Sequence, residues 1–347
     1  MCSSSTGALE DHSTRFLAFG RSDLHLPLDP PAEGLQMAHT FEHIPVLRDE
    51  VVSLFATAPP GVVVDGTVGG GGHSAALLSA HPHLRVVGLD RDQSALDAAE
   101  VQLASFGDRV TLVRSPFSAL EEVVSARKLG TLSGVLLDLG VSSPQLDRGE
   151  RGFSFRTDGP LDMRMDTASG ATAGDLVNTL PEAELATLFR ANGEGRLSHR
   201  IARAVVAARP LTSTQQLADV VADAVPAAAR RKGHPARRVF QALRIEVNDE
   251  LGELRTVLPA ALALLDVGGV CAVISYHSGE DRITKQAFAH AASGGCECPP
   301  GLPCVCGAEP HHRLVFRGAR KPSAAEVAAN HRAESARLRA IVRTEAD

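Results

Sequence analysis

Short apolar runs that end in an acid recur along the chain. Val62-Val63-Val64 runs into Asp65, Arg85-Val86-Val87-Gly88-Leu89 into Asp90, and Gly134-Val135-Leu136-Leu137 into Asp138. Val110-Thr111-Leu112-Val113 leads into Ser115-Pro116-Phe117, and Gly269-Val270-Cys271-Ala272-Val273-Ile274-Ser275 is a fifth run of the same kind. Unbroken runs of this length, rich in β-branched residues, predict strands buried on both faces, as in a parallel sheet. After Asp138 the period changes. Residues 181–189, 200–206 and 212–225 carry apolar side chains at helical spacing, the first with Pro181 in its first turn. The pattern predicts a doubly wound α/β domain with a small helical domain inserted between its fourth and fifth strands. Such an insert makes a cleft, and clefts hold substrates.

The first run opens onto the most informative stretch, Asp65-Gly66-Thr67-Val68-Gly69-Gly70-Gly71-Gly72-His73-Ser74. Glycines let backbone approach a ligand closely, and a helix N-terminus after them favours negative or polar ligand groups. A dinucleotide-binding turn needs G-x-G-x-x-G, and His73-Ser74 stands where the last glycine should fall. What remains, Asp-x-Thr-x-Gly-x-Gly, resembles motif I of class I S-adenosylmethionine (SAM) methyltransferases. Asp90 sits at about the spacing of a ribose-binding carboxylate, a group that can accept hydrogen bonds from both hydroxyls of the diol. Phe117 fits either an adenine face or the core.

Longer blocks follow. They are Leu137-Asp138-Leu139-Gly140-Val141-Ser142-Ser143-Pro144-Gln145-Leu146-Asp147, Arg151-Gly152-Phe153-Ser154-Phe155, and Asp158-Gly159-Pro160-Leu161-Asp162-Met163-Arg164-Met165-Asp166. Phe240-Gln241-Ala242-Leu243-Arg244-Ile245 and Ser275-Tyr276-His277-Ser278-Gly279-Glu280-Asp281-Arg282 complete the set. Together with the glycine stretch, these resemble the bacterial 16S rRNA cytidine N4-methyltransferases, the RsmH or MraW family, from about His43 to Arg339. The resemblance implies a class I SAM-methyltransferase fold, Rossmann-like and doubly wound, and methylation of the exocyclic amine of a decoding-centre cytidine in the small ribosomal subunit. Carried over by motif, it implies SAM contacts at Gly71, Gly72, His73, Asp90, Phe117, Asp138 and Gln145. The chain departs from the family pattern at Tyr276, where Phe is usual, at Gly279, where Leu is usual, and at His331, which replaces the proline of Asn-Pro-Arg. None of the three is expected to touch the SAM contacts, although Gly279 could loosen the loop after the fifth strand.

The expected organisation is an extension over 1–38, the methyltransferase domain in two parts over 39–147 and 237–320, the helical substrate-recognition domain over 148–236, and a tail over 321–347. Residues 1–38 carry Ser, Gly, Pro and scattered charges without periodicity, and Met37 is a candidate start. No apolar run approaches membrane-spanning length and no secretory pattern opens the chain, so the expected setting is the cytoplasm, with no membrane partner. A homodimer is one option for the assembly.

Net charge is –6, which gives no global nucleic-acid signal. Locally the picture differs. From Arg190 to Arg244, eleven basic residues face only Glu194, Asp219 and Asp223, a balance of about +8. A basic lobe on an acidic protein suits RNA backbone contacts, with Arg230, Arg231, Lys232, Arg237, Arg238 and Arg244 as candidates. Cys296-x-Cys298 and Cys304-x-Cys306 bracket a Pro-rich stretch. Structural zinc sites more often use C-x-x-C pairs, so a flexible, metal-free loop is expected and no metal ligands are assigned.

A cytosine amine is a poor nucleophile, so an enzyme must align it with the methyl donor. The Asp-Pro-Pro-Tyr loop of other amino-methyltransferases is absent, and residues 138–144 stand in its place. The expected catalytic residues are therefore Asp138, Ser142 and His277, with backbone carbonyls of the loop assisting Ser142 and His277 orienting the base or taking a proton. The target base must leave any stack to reach them. Two other classes compete: an NAD-dependent dehydrogenase, disfavoured by the missing glycine and by Asp138, and a non-enzymatic RNA-binding scaffold, which the basic lobe alone would allow.

Overall fold

The computed structural model describes residues 44–227, 233–299 and 305–345. The expectations for residues 1–38, for Arg230, Arg231 and Lys232, and for Cys304 fall outside these.

The five expected strands form: β1 (Gly61–Asp65), β2 (Leu84–Asp90), β3 (Val110–Arg114), β4 (Leu132–Asp138) and β5 (Leu265–Ser275). Two more, β6 (His312–Leu314) and β7 (Arg337–Arg343), complete a sheet of order β3-β2-β1-β4-β5-β7-β6. The first five strands are parallel, and β7 runs antiparallel between β5 and β6. The stretch from 321, expected as a tail, therefore supplies an internal strand. Its arginines lie beside residues that pack, Leu338 and Ala340 being buried.

Helices α1 (Arg48–Leu54), α2 (Gly72–Ala80), α3 (Gln93–Leu103), α4 (Leu120–Ala126) and α5 (Ser143–Asp147) alternate with β1 to β4. A helical run follows: α6 (Ala173–Thr179), α7 (Glu182–Ala191), α8 (Ser198–Ala207), α9 (Thr214–Ala224) and α10 (Ala236–Val247). Then come α11 (Glu250–Leu264), α12 (Ser278–Ala292) and α13 (Ala324–Ala329).

Both sheet faces are covered, which explains the unbroken apolar runs. Successive side chains of a strand point to opposite faces. Val62, Val64, Val135 and Leu137 pack with α4, α11 and α12, while Val63, Leu136, Val270 and Ala272 pack with α1 and the segment around Ala333–Ala336. The helical run has its own core. Leu185, Phe189, Ile201, Val205, Leu217, Val221, Val239 and Leu243 cluster with Phe153, Leu161 and Met163. That core takes in α10, past the boundary expected at 236. Its helices start on local signals, Thr172 with Asp175 and Ser213 with Gln216 forming capping boxes.

Candidate active site

The parallel strands β1, β2 and β4 end in Asp65, Asp90 and Asp138, and all three lie along one edge of the sheet. The strand order reverses between β1 and β4. In open α/β sheets, ligands bind at this edge and at such a switch point.

Asp65 does not face a ligand. It is 1% exposed and braces the turn: the Ser74 hydroxyl donates to Oδ2 at 2.7 Å and the Thr67 N–H to Oδ1 at 3.2 Å. Burial holds its carboxyl above the usual range, against the opposing Ser74 hydrogen bond. This pins the end of β1 to the first turn of α2. Gly69 and Gly71 turn the chain at positive φ, +51° and +85°, conformations that favour glycine. A Cβ on Gly71 would lie 3.0 Å from Leu103, and one on Gly72 2.7 Å from Pro45, whereas one on Gly70 would meet nothing within 4 Å. Packing thus requires Gly71 and Gly72, and the open side of the turn is at Gly70.

Asp90 accepts the N–H of Gly69 at 3.1 Å and that of Asp92 at 2.9 Å, one on each oxygen. Burial pushes its carboxyl up to about 6. Phe117, half-buried after β3, lies beside the end of β1: a Cβ on Gly66 would be 3.1 Å from its own Cβ.

Asp138 is the centre of the edge. Its N–H donates to the Thr67 hydroxyl at 2.6 Å, its Oδ1 accepts the Tyr276 hydroxyl at 2.9 Å, and its Oδ2 lies 3.5 Å from His73 Nε2. Tyr276, expected to stay clear of the SAM contacts, thus touches one of them. The reason is register: Asp138 pairs with Ile274, so Tyr276, two residues on, overhangs the end of β4. His73 is buried, and neither ring nitrogen has a hydrogen-bond partner among the described residues. Buried polar groups are normally satisfied, so this pair of nitrogens is an observation to be explained.

Other expected residues are committed to the fold. The Gln145 amide accepts the Ser142 N–H at 3.0 Å and donates to Asp92 at 3.0 Å. It ties the loop after β4 to the loop after β2, through an Asp92 that Arg151 also grips at 2.8 Å. Burial opposes ionisation of Asp92, yet the hydrogen bonds from Gln145, Ser94 and Arg151 hold its carboxyl below the usual range. Ser142 caps α5, its hydroxyl accepting the Gln145 N–H at 3.4 Å.

His277 caps α12, its Nδ1 facing the N–H groups of Gly279 at 3.1 Å and Glu280 at 3.4 Å. An accepting Nδ1 puts the ring proton on Nε2, which lies 3.2 Å from Glu280 Oε1. This arrangement commits the Nδ1 lone pair to the helix cap. Gly279 sits in the first turn of α12 under this ring and does not loosen a loop. Glu250, His277 and Glu280 bring ligand-type atoms within 4.8 Å of one another, but the Arg244 guanidinium already holds Glu250 at 2.7 Å through two nitrogens. Arg244 is therefore buried in an ion pair and not presented to RNA, a correction that charge counting could not supply. Arg237 and Arg238 are exposed, the latter 3.5 Å from Glu194.

The sulfurs of Cys296, Cys298 and Cys306 converge within 4.8 Å. Cys271 is buried in β5, where burial pushes its thiol up to about 12.

Residues 40–344 match the MraW methylase family. The chain belongs to that family. Among curated relatives, the ribosomal RNA small subunit methyltransferase H of Heliobacterium modesticaldum is 53% identical over 86% of this chain and 98% of its own. The protein of that name from Thermobifida fusca is 51% identical over 87% and 93%, and one from a Mycobacterium species (strain KMS) is 48% identical over 92% and 88%. S-adenosylmethionine is the methyl donor of this family. The residues present fit it. The unsatisfied His73 nitrogens, the open side of the turn at Gly70 and the remaining lone pairs of Asp90 offer polar partners at one sheet edge. Of the residues expected to contact the cofactor, His73, Asp90, Phe117 and Asp138 lie along this edge, while Gly71, Gly72 and Gln145 are held by packing and by hydrogen bonds within the fold.

Proposed function

We propose that the chain methylates the exocyclic N4 amine of a decoding-centre cytidine in 16S rRNA, using rRNA within the small ribosomal subunit as substrate in the cytoplasm. The observation that carries this reading is Asp138. It is an acid at the switch point, held from three sides by Thr67, Tyr276 and His73, with its side chain still 25% exposed. The names of the relatives, small-subunit rRNA methyltransferases, supply the substrate class.

S-adenosylmethionine supplies an activated methyl group. Asp90 would hold the ribose hydroxyls, and His73 the polar groups near Asp138. The amine lone pair would form the new N–C bond as the methyl group parts from the sulfonium, the S–C bonding pair staying on the departing thioether sulfur, and the amine must lose one proton. The Asp138 carboxylate is the acceptor at this edge, and carbonyls of the 138–144 loop direct the amine lone pair. Ser142 shapes that loop as a cap. General-base groups of this kind contribute roughly 10²–10⁴-fold. The helices α6 to α10 form the substrate-recognition lobe, and Arg237 and Arg238 contact the RNA backbone.

Transfer of tritiated methyl from labelled SAM to small subunits lacking the modification tests this directly. The intact chain should label the rRNA, and Asp138→Asn should lower the rate at least about 100-fold with its melting temperature kept. Label carried into ribosomal protein, or an Asp138→Asn variant of full activity, would defeat the reading.

A further inference from the structure

The loop between α12 and β6 is pinched at its base, and its described residues form no core. Gly294 turns at φ +63°, and a Cβ there would lie 2.6 Å from the carbonyl carbon of Glu309, so the two arms of the loop run against each other. Between Gly295 and His311 none of the described residues is buried, and Val305 is 89% exposed. Apolar packing therefore cannot explain why three sulfurs from the two arms, those of Cys296, Cys298 and Cys306, lie within 4.8 Å of one another. The backbone offers a second observation. The N–H of Val305 points at Cys298 Sγ, 3.4 Å away, and Gly307 turns directly after Cys306 at φ +69°. An N–H directed at a sulfur stabilises the thiolate, the form that binds metal. Tetrahedral zinc with bonds of about 2.3 Å sets sulfurs about 3.8 Å apart, inside the observed limit.

We propose that Cys296, Cys298 and Cys306 bind a zinc ion that staples this loop. Thiolate sulfur selects a soft or borderline divalent ion over magnesium or calcium. Small segments without a core commonly rely on such a staple. Zinc carries no redox chemistry, so the role is structural: it fixes the path of the chain from α12 into β6, next to β7. Three thiolates leave the fourth coordination position to a ligand outside this set, such as water. The site does not depend on the methyl-transfer reading.

The test uses the full chain, expressed with zinc supplied and purified without chelator. Elemental analysis should find about one zinc per chain. Replacement by cobalt should give the thiolate charge-transfer and tetrahedral ligand-field bands. Cys298→Ser combined with Cys306→Ser should drop the metal to background, while Cys271→Ala keeps it. A chain without stoichiometric metal would overturn the proposal, as would a double variant that retains zinc, or a disulfide between two of these cysteines in the purified protein. Melting curves of the double variant separate loss of metal from loss of fold.

Discussion

Asp90 is the residue whose charge state is most exposed to pH. Its carboxyl titrates near 6 in the folded chain against an ordinary 3.8, because burial disfavours the ion. The folded state therefore binds this proton more tightly than the unfolded one. The stability it contributes is fully present below pH 3.8 and is lost as pH rises through about 6, an amount on the order of 1–3 kcal/mol. With Asp90 in its proposed role, ligand binding would run the other way, since ribose hydroxyls would donate to the ionised form. SAM affinity, measured by calorimetry, should weaken as pH falls through 6, approaching tenfold per unit. Asp90→Asn should bind weakly and show no such slope, and a parallel slope in the variant would assign the titration elsewhere. Tyr276 gives a milder case. Its hydroxyl contributes a charge-assisted hydrogen bond to Asp138, worth about 1.5–3 kcal/mol at most. The family pattern carries Phe there, so Tyr276→Phe should cost no more than about tenfold in kcat. A loss as large as that of Asp138→Asn would make the hydroxyl part of the chemistry.

At the scale of elements, α10 carries arginines in two settings, one paired with a neighbouring helix and two in solvent. Arg244 lies buried against Glu250, with Glu280 close behind. Arg244→Gln leaves the Glu250 carboxylate without its ion-pair partner and should destabilise the chain by about 3–5 kcal/mol, read by denaturant unfolding. Arg237 and Arg238 stand in solvent. Replacing both with Ala should leave stability and SAM affinity unchanged. It should also lower the salt dependence of rRNA binding, the slope of log K against log salt falling by about 2. The reverse pattern would place the RNA surface elsewhere. This division was not legible in the sequence. A count of basic residues marks a region, but only the packing of α10 against α11 decides which arginine turns inward. Pairs distant along the chain were equally hidden, such as Gln145 with Asp92 and Tyr276 with Asp138.

The whole molecule was legible where burial is symmetric. Strands covered on both faces read as unbroken apolar runs, so β1 to β5 stood out, and with them the acids that end β1, β2 and β4. The internal strand β7 did not, because Arg337, Arg339 and Arg343 interrupt it; Arg339 is satisfied by Asp281 and Arg343 by carbonyls of Ala263 and Leu265. The glycine stretch was legible as a tight turn between β1 and α2, while its brace, Ser74 on Asp65, required the fold to bring them together. In the proposed reading, the sheet edge would hold the methyl donor and the first acceptor residues, and the helical lobe would supply the surface that selects RNA. Mass mapping of 16S rRNA from cells with and without this chain tests that account most directly. The account predicts one decoding-centre cytidine that carries an N4 methyl group only when the chain is present. Identical maps, or a methyl group placed on a ribose, a ring carbon or another base, would contradict it.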